Sequence, residues 1–430
     1  MQYTSIEELY TIYKKNPVIT TDSRNIPQNS IFFSLKGDNF NGNTFTQKAM
    51  ENGASFAVVD EIKYKINNQC LLVADGLQAL QELAKYHRKQ LQTKVIGITG
   101  TNGKTTTKEL IYAVLSTKYK TFATQGNLNN HVGVPLSVLA IRPETELAVI
   151  EMGANHIGEI AELCKISQPD LGLITNIGKA HLEGFGSYEG IIQAKSELYN
   201  YLKSKTNSIF INVDDDILRK ISEHMQKIEY TISSESNCFA KEIFCNPFVN
   251  INIEIQQKQK LIQSQLIGAY NAQNIMAAAC IGNYFGVDLD SIKSAIENYK
   301  PTNNRSQFTR TEKNQLIVDA YNANPTSMEA TLKNFSELQM GNKTAIIGDM
   351  LELGKDSDNE HQAIISLLKK YNFHQVILVG KIFYSLDSEF NRFISTEEAY
   401  TWIQKNPISN ASVLIKGSRG IRLEKLIELL

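Results

Sequence analysis

The sequence has few of the features that mark secreted proteins, membrane proteins or zinc proteins. No C-x-x-C pair occurs, which argues against a zinc site and a disulfide framework; the cysteines are Cys70, Cys164, Cys238, Cys245 and Cys280. No run of residues approaches the ~18 apolar residues of a membrane helix. The N-terminus also lacks the basic start and apolar core of a signal peptide. We therefore expect a cytoplasmic protein with reduced thiols.

The sequence also lacks an excess of charge of either sign. Lysine and arginine total 44 against 45 aspartates and glutamates, which gives a formal net charge of −1. No basic field of the whole molecule is available to hold nucleic acid or an anionic membrane, so neither is expected as a partner. Local groups would have to bind any anionic ligand.

Length and hydrophobic patterning predict an α/β protein of several domains. A chain of 430 residues is too long for one ordinary core, and ~150 residues per domain suggests about three domains. Short apolar strands alternate with amphipathic helices along the chain. We predict an α/β domain over 1–85, a central α/β domain with a mainly parallel sheet over 86–300, and a Rossmann-like domain over 301–430, with a polar linker at 298–304.

The strongest motif joins an apolar strand at 95–99 to a helix that begins at residue 104. It consists of Gly100, Thr101, Asn102, Gly103, Lys104, Thr105 and Thr106. Glycines let backbone N–H groups turn toward phosphate oxygens, the helix N-terminus adds partial positive charge, and the lysine adds a full one. Ile98 stands where the standard phosphate loop has glycine, so a glycine-rich turn with a solvated lysine is the alternative. We predict nucleotide phosphate binding, with the Thr105 hydroxyl on Mg²⁺.

Other polar residues follow predicted strands, where open α/β sheets bind their ligands. Glu151 ends a strand beside the phosphate-loop strand and is a candidate Mg²⁺ ligand. Asp319 and Tyr321 follow a strand further along the chain. Asn271 and Asn274 stand at a predicted helix start, where they either reach a base edge or cap the helix.

Two loops of the predicted first domain carry further candidates for ligand binding. Ser23 and Arg24 lie in one loop, and Lys36 and Gly37 lie in the other. The arginine and the lysine suit a diphosphate. Isolated loop charges are also commonly solvated surface residues, and the residues alone leave both interpretations open.

The ordered motifs resemble those of the Mur ligases of peptidoglycan synthesis, over essentially the whole chain. The family loop G-T-N-G-K-T stands at 100–105, and Glu151, His181 and Lys195 follow in the family's order. E-M-G-A-N at 151–155, D-A-Y-N-A-N-P at 319–325, G-D-M-L-E-L-G at 348–354 with His361, and K-G-S at 416–418 are similar to the member that adds D-alanyl-D-alanine. Tyr270 departs from the family pattern, which often has histidine there.

The resemblance implies an ATP-dependent ligase, expected as a monomer. ATP would phosphorylate the C-terminal carboxylate of UDP-N-acetylmuramoyl-tripeptide, and the amine of D-alanyl-D-alanine would attack the acyl phosphate, giving the pentapeptide, ADP and phosphate. A sister ligase that adds the third amino acid, or a folylpolyglutamate-synthetase-like enzyme, is the nearest alternative, against which the motifs at 319–325 and 348–354 argue. The alternative from another functional class is an inactive nucleotide-binding regulatory protein. Such a protein would need no second metal site, so the presence of Glu151, His181 and Lys195 together argues against it.

The resemblance also implies a role for each candidate residue. Lys104, His181 and Lys195 would be catalytic. The nucleotide would be held by the phosphate loop, by Asn271 and Asn274 at adenine, by Arg305 at a phosphate, and by Asp319 at the ribose with Tyr321 nearby. Thr105 and Glu151 would hold one Mg²⁺, and His181 with a carbamylated Lys195 would hold a second. Ser23, Arg24, Lys36 and Gly37 would bind the uridine diphosphate end of the substrate.

Overall fold

The computed structural model describes residues 3–302 and 304–430. Met1, Gln2 and, within the predicted linker, Asn303 lie outside the described residues. Over the rest, the chain forms successive sheets of four, six, three and six strands, with a two-stranded hairpin beside the first. The predicted α/β class with mainly parallel sheets is confirmed.

The first part of the chain builds a small parallel sheet. The sheet contains β1 (Ile19–Thr20), β2 (Ser30–Phe33), β5 (Ala54–Val59) and β6 (Cys70–Leu72). The adjacent hairpin contains β3 (Lys36–Gly37) and β4 (Phe40–Asn41). The helices of this part are α1 (Ile6–Lys15), α2 (Thr46–Glu51) and α3 (Gly76–Gln90). The sheet order is β1-β2-β5-β6. Helix α1 begins at a capping box, because Ser5 Oγ accepts from Glu8 N and Glu8 Oε2 accepts from Ser5 N.

The second part builds a six-stranded parallel sheet around the phosphate-loop strand. Its strands are β7 (Lys94–Thr99), β8 (Thr121–Ala123), β9 (Leu147–Glu151), β10 (Leu171–Ile174), β11 (Ser208–Asn212) and β12 (Gln226–Tyr230). Its helices are α4 (Lys104–Leu115), α5 (Gly133–Leu139), α6 (Glu159–Ser167), α7 (Leu182–Phe185), α8 (Tyr188–Lys203) and α9 (Asp216–Ile221). The order β12-β11-β10-β7-β9-β8 places β7 between β10 and β9. Helices cover both faces, so these strands are apolar almost throughout.

A three-stranded antiparallel sheet follows, which the sequence analysis did not predict. Its strands are β13 (Cys238–Cys245), β14 (Phe248–Ile255) and β15 (Lys258–Ile267), paired in that order. Alternate residues of β14 are buried, namely Val249, Ile251, Ile253 and Ile255. This two-residue period is typical of a sheet with one face against a core. Helices α10 (Asn271–Tyr284) and α11 (Leu289–Asn298) complete this part.

The last part builds a second six-stranded sheet. Its strands are β16 (Gln307–Arg310), β17 (Gln315–Asp319), β18 (Lys343–Gly348), β19 (Gln375–Val379), β20 (Asn391–Phe393) and β21 (Ser412–Lys416). Its helices are α12 (Pro325–Glu337), α13 (Ser357–Tyr371), α14 (Lys381–Ser385) and α15 (Thr396–Lys405). The order is β16-β17-β21-β18-β19-β20, and only the edge strand β16 among these is antiparallel to its neighbour. The resulting layered α/β arrangement has the Rossmann-like character that the sequence predicts.

Helix α3 joins the first sheet to the second. The predicted domain boundary at residue 85 falls inside this helix, so the domain limits remain predictions. Leu80 and Leu83 of α3 are fully buried in one continuous apolar core with residues of the second sheet. The Arg88 guanidinium, also buried, donates to Asp170 at 2.9 Å and to Ser167 O at 3.0 Å. Asp170 in turn accepts from Val95 N at 2.8 Å, so α3 is fastened to the start of β7.

Two further features complete the fold. Short 3-10 helices lie at Gly42–Phe45, Ile62–Tyr64, Gly354–Asp356, Arg419–Ile421 and Leu423–Leu429. Within the described ranges, every helix is too short or too polar to cross a membrane.

Replacement of Arg88 by alanine should destabilise the protein by about 2 kcal/mol, because the hydrogen bonds of the buried guanidinium to Ser167 O and Asp170 are lost. Lys85→Ala on the same helix removes only a surface pair with Glu82 and should cost about 0.5 kcal/mol or less. Urea unfolding followed by circular dichroism measures both. Equal midpoints for the two variants would contradict the structural role assigned to Arg88.

Candidate active site

The carboxyl ends of strands from the second and fourth sheets meet at one cavity of about 1010 Å³. Its walls include the phosphate loop (residues 100–106), and Glu151, His181 and Lys195 from the second part. Asn271 and Asn274 of α10 and Arg305, Asp319 and Tyr321 of the last part line it too. The structure therefore brings together residues that lie more than 200 positions apart in the sequence.

The phosphate loop has the strand–loop–helix context that the sequence predicts. Gly100 has φ 141° and Gly103 has φ 78°, in the region that favours glycine. A Cβ on Gly100 would lie 2.1 Å from Thr175 Oγ1, and one on Gly103 would lie 2.6 Å from Asn274 Oδ1. Helix α4 then begins at Lys104 and points its N-terminus at the cavity. This geometry suits an anion in contact with backbone N–H groups.

Lys104 folds back over the loop. Its Nζ donates to Gly100 O at 2.7 Å and to Thr101 O at 3.1 Å. Loss of solvent lowers the pKa of Lys104 to about 8, although Glu151 raises it in part. An anionic phosphate beside this amine would restore the full charge that burial disfavours.

Glu151 at the end of β9 is a buried carboxylate with one engaged oxygen. Its Oε1 accepts from Thr105 Oγ1 at 3.2 Å and from Asn129 Nδ2 at 2.8 Å. Its Oε2 is buried and accepts no hydrogen bond from any described residue. A carboxylate oxygen beside a threonine hydroxyl is the donor set that Mg²⁺ prefers, so these residues fit a cation.

His181 and Lys195 line the same cavity but hold different partners. His181 precedes α7 with φ 50°, and its Nδ1 lies against Glu352 Oε2 of the last part. The Lys195 amine, on α8, is buried over the Phe185 ring at 5.3 Å from the centroid. Burial, with the neighbouring charge of Lys104, lowers the pKa of Lys195 to about 7. Within residues 3–302 and 304–430, no three His, Cys, Asp or Glu side chains form a group that could hold a metal.

Asn271 and Asn274 bind each other, the end of β15 and helix α4. Asn274 Nδ2 donates to Asn271 Oδ1 at 2.7 Å, and Asn271 Nδ2 donates to Ile267 O at 2.7 Å. Thr107 Oγ1 of α4 donates to Asn274 Oδ1 at 3.0 Å. The helix-capping interpretation is wrong for Asn271, because its side chain caps no N–H of α10. The pair instead fastens α10 to α4, and a contact with adenine stays a prediction.

The far wall of the cavity carries the predicted nucleotide residues of the last part. The Arg305 guanidinium stacks 3.8 Å from the centre of the Tyr321 ring. Asp319 Oδ2 accepts from Lys416 Nζ at 2.5 Å and from Thr331 Oγ1 at 3.3 Å. Asp319 Oδ1 accepts from the backbone N of Ser306 at 3.3 Å. The carboxylate is therefore fixed in position beside a buried lysine.

The two walls touch directly. Asn324 Nδ2 donates to Asn102 Oδ1 of the phosphate loop at 2.8 Å. Lys179 N donates to Thr326 Oγ1 at 3.0 Å, and Lys179 Nζ pairs with Glu360 at 2.8 Å. These contacts hold the two walls together beside the phosphate loop.

The four candidates of the first part do not line this cavity. The Arg24 guanidinium pairs with Asp22 at 2.8 Å and is 87% exposed, with Ser23 between them in the chain. Lys36 pairs with Asp60 at 2.9 Å and Glu61 at 3.2 Å. Gly37 lies under the Phe40 ring in the β3–β4 hairpin. Binding of a diphosphate would have to compete with these surface ion pairs, so it stays a prediction.

Two family models match most of the chain beyond its first part. The Mur ligase middle domain matches residues 98–282, and the Mur ligase glutamate ligase domain matches residues 304–419. A Bacillus subtilis relative, UDP-N-acetylmuramoyl-tripeptide–D-alanyl-D-alanine ligase, is 34% identical over 95% of this chain and 92% of its own. The chain belongs to the Mur ligase family. The resemblance seen in its sequence motifs is confirmed.

Solved Mur ligase structures share this arrangement of sheets. MurF from Acinetobacter baumannii has a TM-score of 0.85 and 34% identity, over 95% of this chain and 92% of that chain. MurF from Thermotoga maritima in complex with ADP has a TM-score of 0.85 and 26% identity, over 96% and 97% of the two chains. Both likenesses extend over all four sheets of this Mur ligase.

Sequence analysis missed three amide side chains of this Mur ligase site. Asn129 donates to Glu151, and Asn324 donates to Asn102. Asn176 Oδ1 accepts from Asn102 N at 3.0 Å and its Nδ2 donates to Asn102 O at 3.0 Å. Asn176 directly follows β10, and its place at a strand end is the signal that could have identified it.

Gly178→Ala should open the cleft of this Mur ligase. The new Cβ would lie 2.9 Å from Thr326 Oγ1 and 3.1 Å from Thr326 Cγ2, which belong to the opposite wall. Small-angle scattering should show a larger radius of gyration, and Gly178→Ala/Thr326→Ala should restore it in part. Gly341→Ala, with open space around its Cβ, is the control. An unchanged radius in Gly178→Ala would contradict a cleft that closes at this contact.

Proposed function

We propose that the chain is an ATP-dependent ligase that joins D-alanyl-D-alanine to UDP-N-acetylmuramoyl-tripeptide. Relatives that match over most of their length carry this name. The observation that carries the proposal is the shared cavity, which Lys104 and Glu151 line on one wall and Arg305 and Asp319 line on the other. One wall suits phosphates and the other suits a sugar or base, so ATP would bind between them. The relative from Thermotoga maritima holds ADP.

The reaction has two steps. A tripeptide carboxylate oxygen attacks the γ-phosphorus of ATP, the bond to the bridging oxygen breaks, and ADP leaves with the electron pair. The resulting acyl phosphate has a good leaving group, which the carboxylate lacked. The amine of D-alanyl-D-alanine then attacks the carbonyl carbon, phosphate leaves with the C–O electron pair, and the amine nitrogen loses its proton to solvent.

Residues of both walls have defined tasks in this scheme. Lys104 and the loop N–H groups neutralise charge on the phosphates, since both reacting groups are anions. Arg305 contacts a phosphate from the opposite wall, and Asp319 accepts a hydrogen bond from a ribose hydroxyl. Asn271 and Asn274 lie at the adenine end, with Tyr321 supporting Arg305. The contacts between the two walls would restrict the access of water to the acyl phosphate and so favour attack by the amine.

Thr105 and Glu151 would hold a magnesium ion at the phosphates. The orphaned Oε2 of Glu151 supports this assignment. Magnesium, when bound, would neutralise charge on the β- and γ-phosphates. Asn129 orients the carboxylate by its hydrogen bond to Oε1. The residues of this chain thereby provide a polar, positioned oxygen set for the metal.

A second cation near His181 requires a change in Lys195. An ammonium repels a metal ion, but a neutral amine adds to CO₂, loses a proton and becomes an anionic carbamate. Because burial lowers the pKa of Lys195 to about 7, a large share of the amine is neutral at physiological pH. No described residue pairs with its Nζ by a hydrogen bond or an ion pair, which leaves it free to react. Carbamylation of Lys195 is therefore part of the proposal.

The first part of the chain would bind the nucleotide end of the second substrate. Ser23, Arg24, Lys36 and Gly37 supply the candidate contacts for its diphosphate. We accordingly propose a UDP-substrate domain over 1–85, a central ATP-binding domain over 86–300 and a ligase domain over 301–430. The enzyme would act in the cytoplasm as a monomer.

Acceptor dependence tests the proposed function. Protein, Mg-ATP and UDP-N-acetylmuramoyl-tripeptide should release phosphate with D-alanyl-D-alanine, but not with glutamate or single amino acids, and mass spectrometry should find the pentapeptide. Lys104→Ala should be slower by ~10²-fold or more, as for loss of one charge stabiliser. Release without acceptor dependence would overturn the ligase assignment, and preference for another acceptor would favour a sister enzyme.

Lys195→Ala should lower ligase turnover by ~10²-fold or more, and added formate or acetate should restore part of it by replacing the carbamate oxygens. Wild-type turnover should also fall below pH 7, as the amine with a pKa of about 7 becomes protonated and cannot add to CO₂. Lys203→Ala, exposed on the same helix, is the control. Absence of rescue, together with indifference to bicarbonate, would contradict carbamylation.

A further inference from the structure

Lys108 is a buried lysine that the scheme above does not use. It lies one helical turn after Lys104 on α4, and its side chain is 3% exposed. Its Nζ donates to Thr124 O at 2.7 Å and lies 3.8 Å from Glu151 Oε2. Lys108 is thus the nearest cation to the one oxygen of Glu151 that accepts no hydrogen bond from the described residues.

Thr124 fixes the separation between the two charges. Its carbonyl accepts from Lys108 Nζ, while its Oγ1 accepts from the backbone N of Glu151 at 3.0 Å. Glu151 Oε1 is held at the same time by Thr105 and Asn129. Neither partner can move far, so the carboxylate keeps Oε2 directed at the ammonium without a close hydrogen bond.

A fixed ammonium beside a metal ligand acts in two opposite ways. It stabilises the buried carboxylate of the metal-free protein, and it repels any cation that approaches Oε2. A nucleotide changes this balance, because its phosphates bring negative charge and further oxygen ligands for the cation. Metal alone is therefore disfavoured at Glu151, whereas metal with nucleotide is accepted.

We propose that Lys108 is a positioning residue that makes metal binding at Glu151 depend on bound nucleotide. The inference rests on the proposed function in one respect, namely that Glu151 holds the metal. A purely structural lysine would affect stability, and its loss would weaken all ligands or none. If its charge acts as a gate, loss of Lys108 should instead tighten the binding of metal alone and weaken the binding of nucleotide alone.

Lys108→Met tests the inference, with Lys118→Met as the matched control. Lys118 follows the same helix and donates to Gly286 O at 2.7 Å, but it has no carboxylate partner among the described residues. At pH 8, free Mn²⁺ measured by electron paramagnetic resonance should show about tenfold tighter binding to nucleotide-free Lys108→Met than to wild type. Binding of ADP in EDTA, measured by calorimetry, should weaken about tenfold. Lys118→Met should change neither by more than about twofold.

Two further variants keep the test decisive. Lys108→Gln retains a donor for Thr124 O without the charge. If Lys108→Met does not fold, Lys108→Gln should show the same tighter Mn²⁺ binding and weaker ADP binding. Glu151→Gln should abolish the gain in Mn²⁺ affinity that Lys108→Met produces. Mn²⁺ binding that is unchanged or weaker in a folded Lys108 variant would overturn the inference.

Mn²⁺ binding in the presence of ADP separates this inference from the function on which it rests. If Glu151→Gln leaves that binding unchanged, Glu151 is not a metal ligand, and both the assignment and the inference fail. If Glu151→Gln weakens it while the Lys108 variants bind Mn²⁺ alone as wild type does, only the gating role of Lys108 fails.

Discussion

The site depends on the close approach of the phosphate loop to its neighbours. No side chain fits at Gly100 or Gly103, since Thr175 and Asn274 occupy the space where a Cβ would stand. The loop is therefore packed closely between the end of β10 and the start of α10. This packing fixes the positions of Lys104, Thr105 and the N-terminus of α4.

The lysines around the cavity differ in whether an acidic side chain neutralises their charge. Lys416 pairs with Asp319, and Lys108 faces Glu151. Lys104 bonds only to carbonyl groups among its described neighbours, and Lys195 faces an aromatic ring; burial lowers the pKa of both amines. Neither Lys104 nor Lys195 therefore has an ion-pair partner among the described residues, on the side where phosphates and a peptide carboxylate would meet. Substrates of the proposed reaction would supply the missing charge.

The local elements of this site could be predicted from the sequence, but the contacts between them could not. The phosphate loop and the strand ends at Glu151 and Asp319 could be predicted, because glycines and polar residues after apolar runs mark such positions. The bond between Asn102 and Asn324 could not, since an amide after a strand has many possible partners. The antiparallel sheet was also missed, although its alternation is visible in β14. The predicted limit at residue 85 falls inside α3, whose buried leucines belong to one apolar core shared by the first two sheets.

Helix α3, which the first two sheets share, limits which parts of the molecule can separate. Separation of the first sheet from the second would expose Leu80 and Leu83 to water, whereas the cleft around the phosphate loop closes through polar pairs that water can replace. Near the linker, the Phe248 and Phe308 rings pack edge to face at 5.5 Å. Because water can replace the polar pairs of the cleft but not the apolar contacts of α3, opening the cleft would cost less free energy than separating the first two sheets.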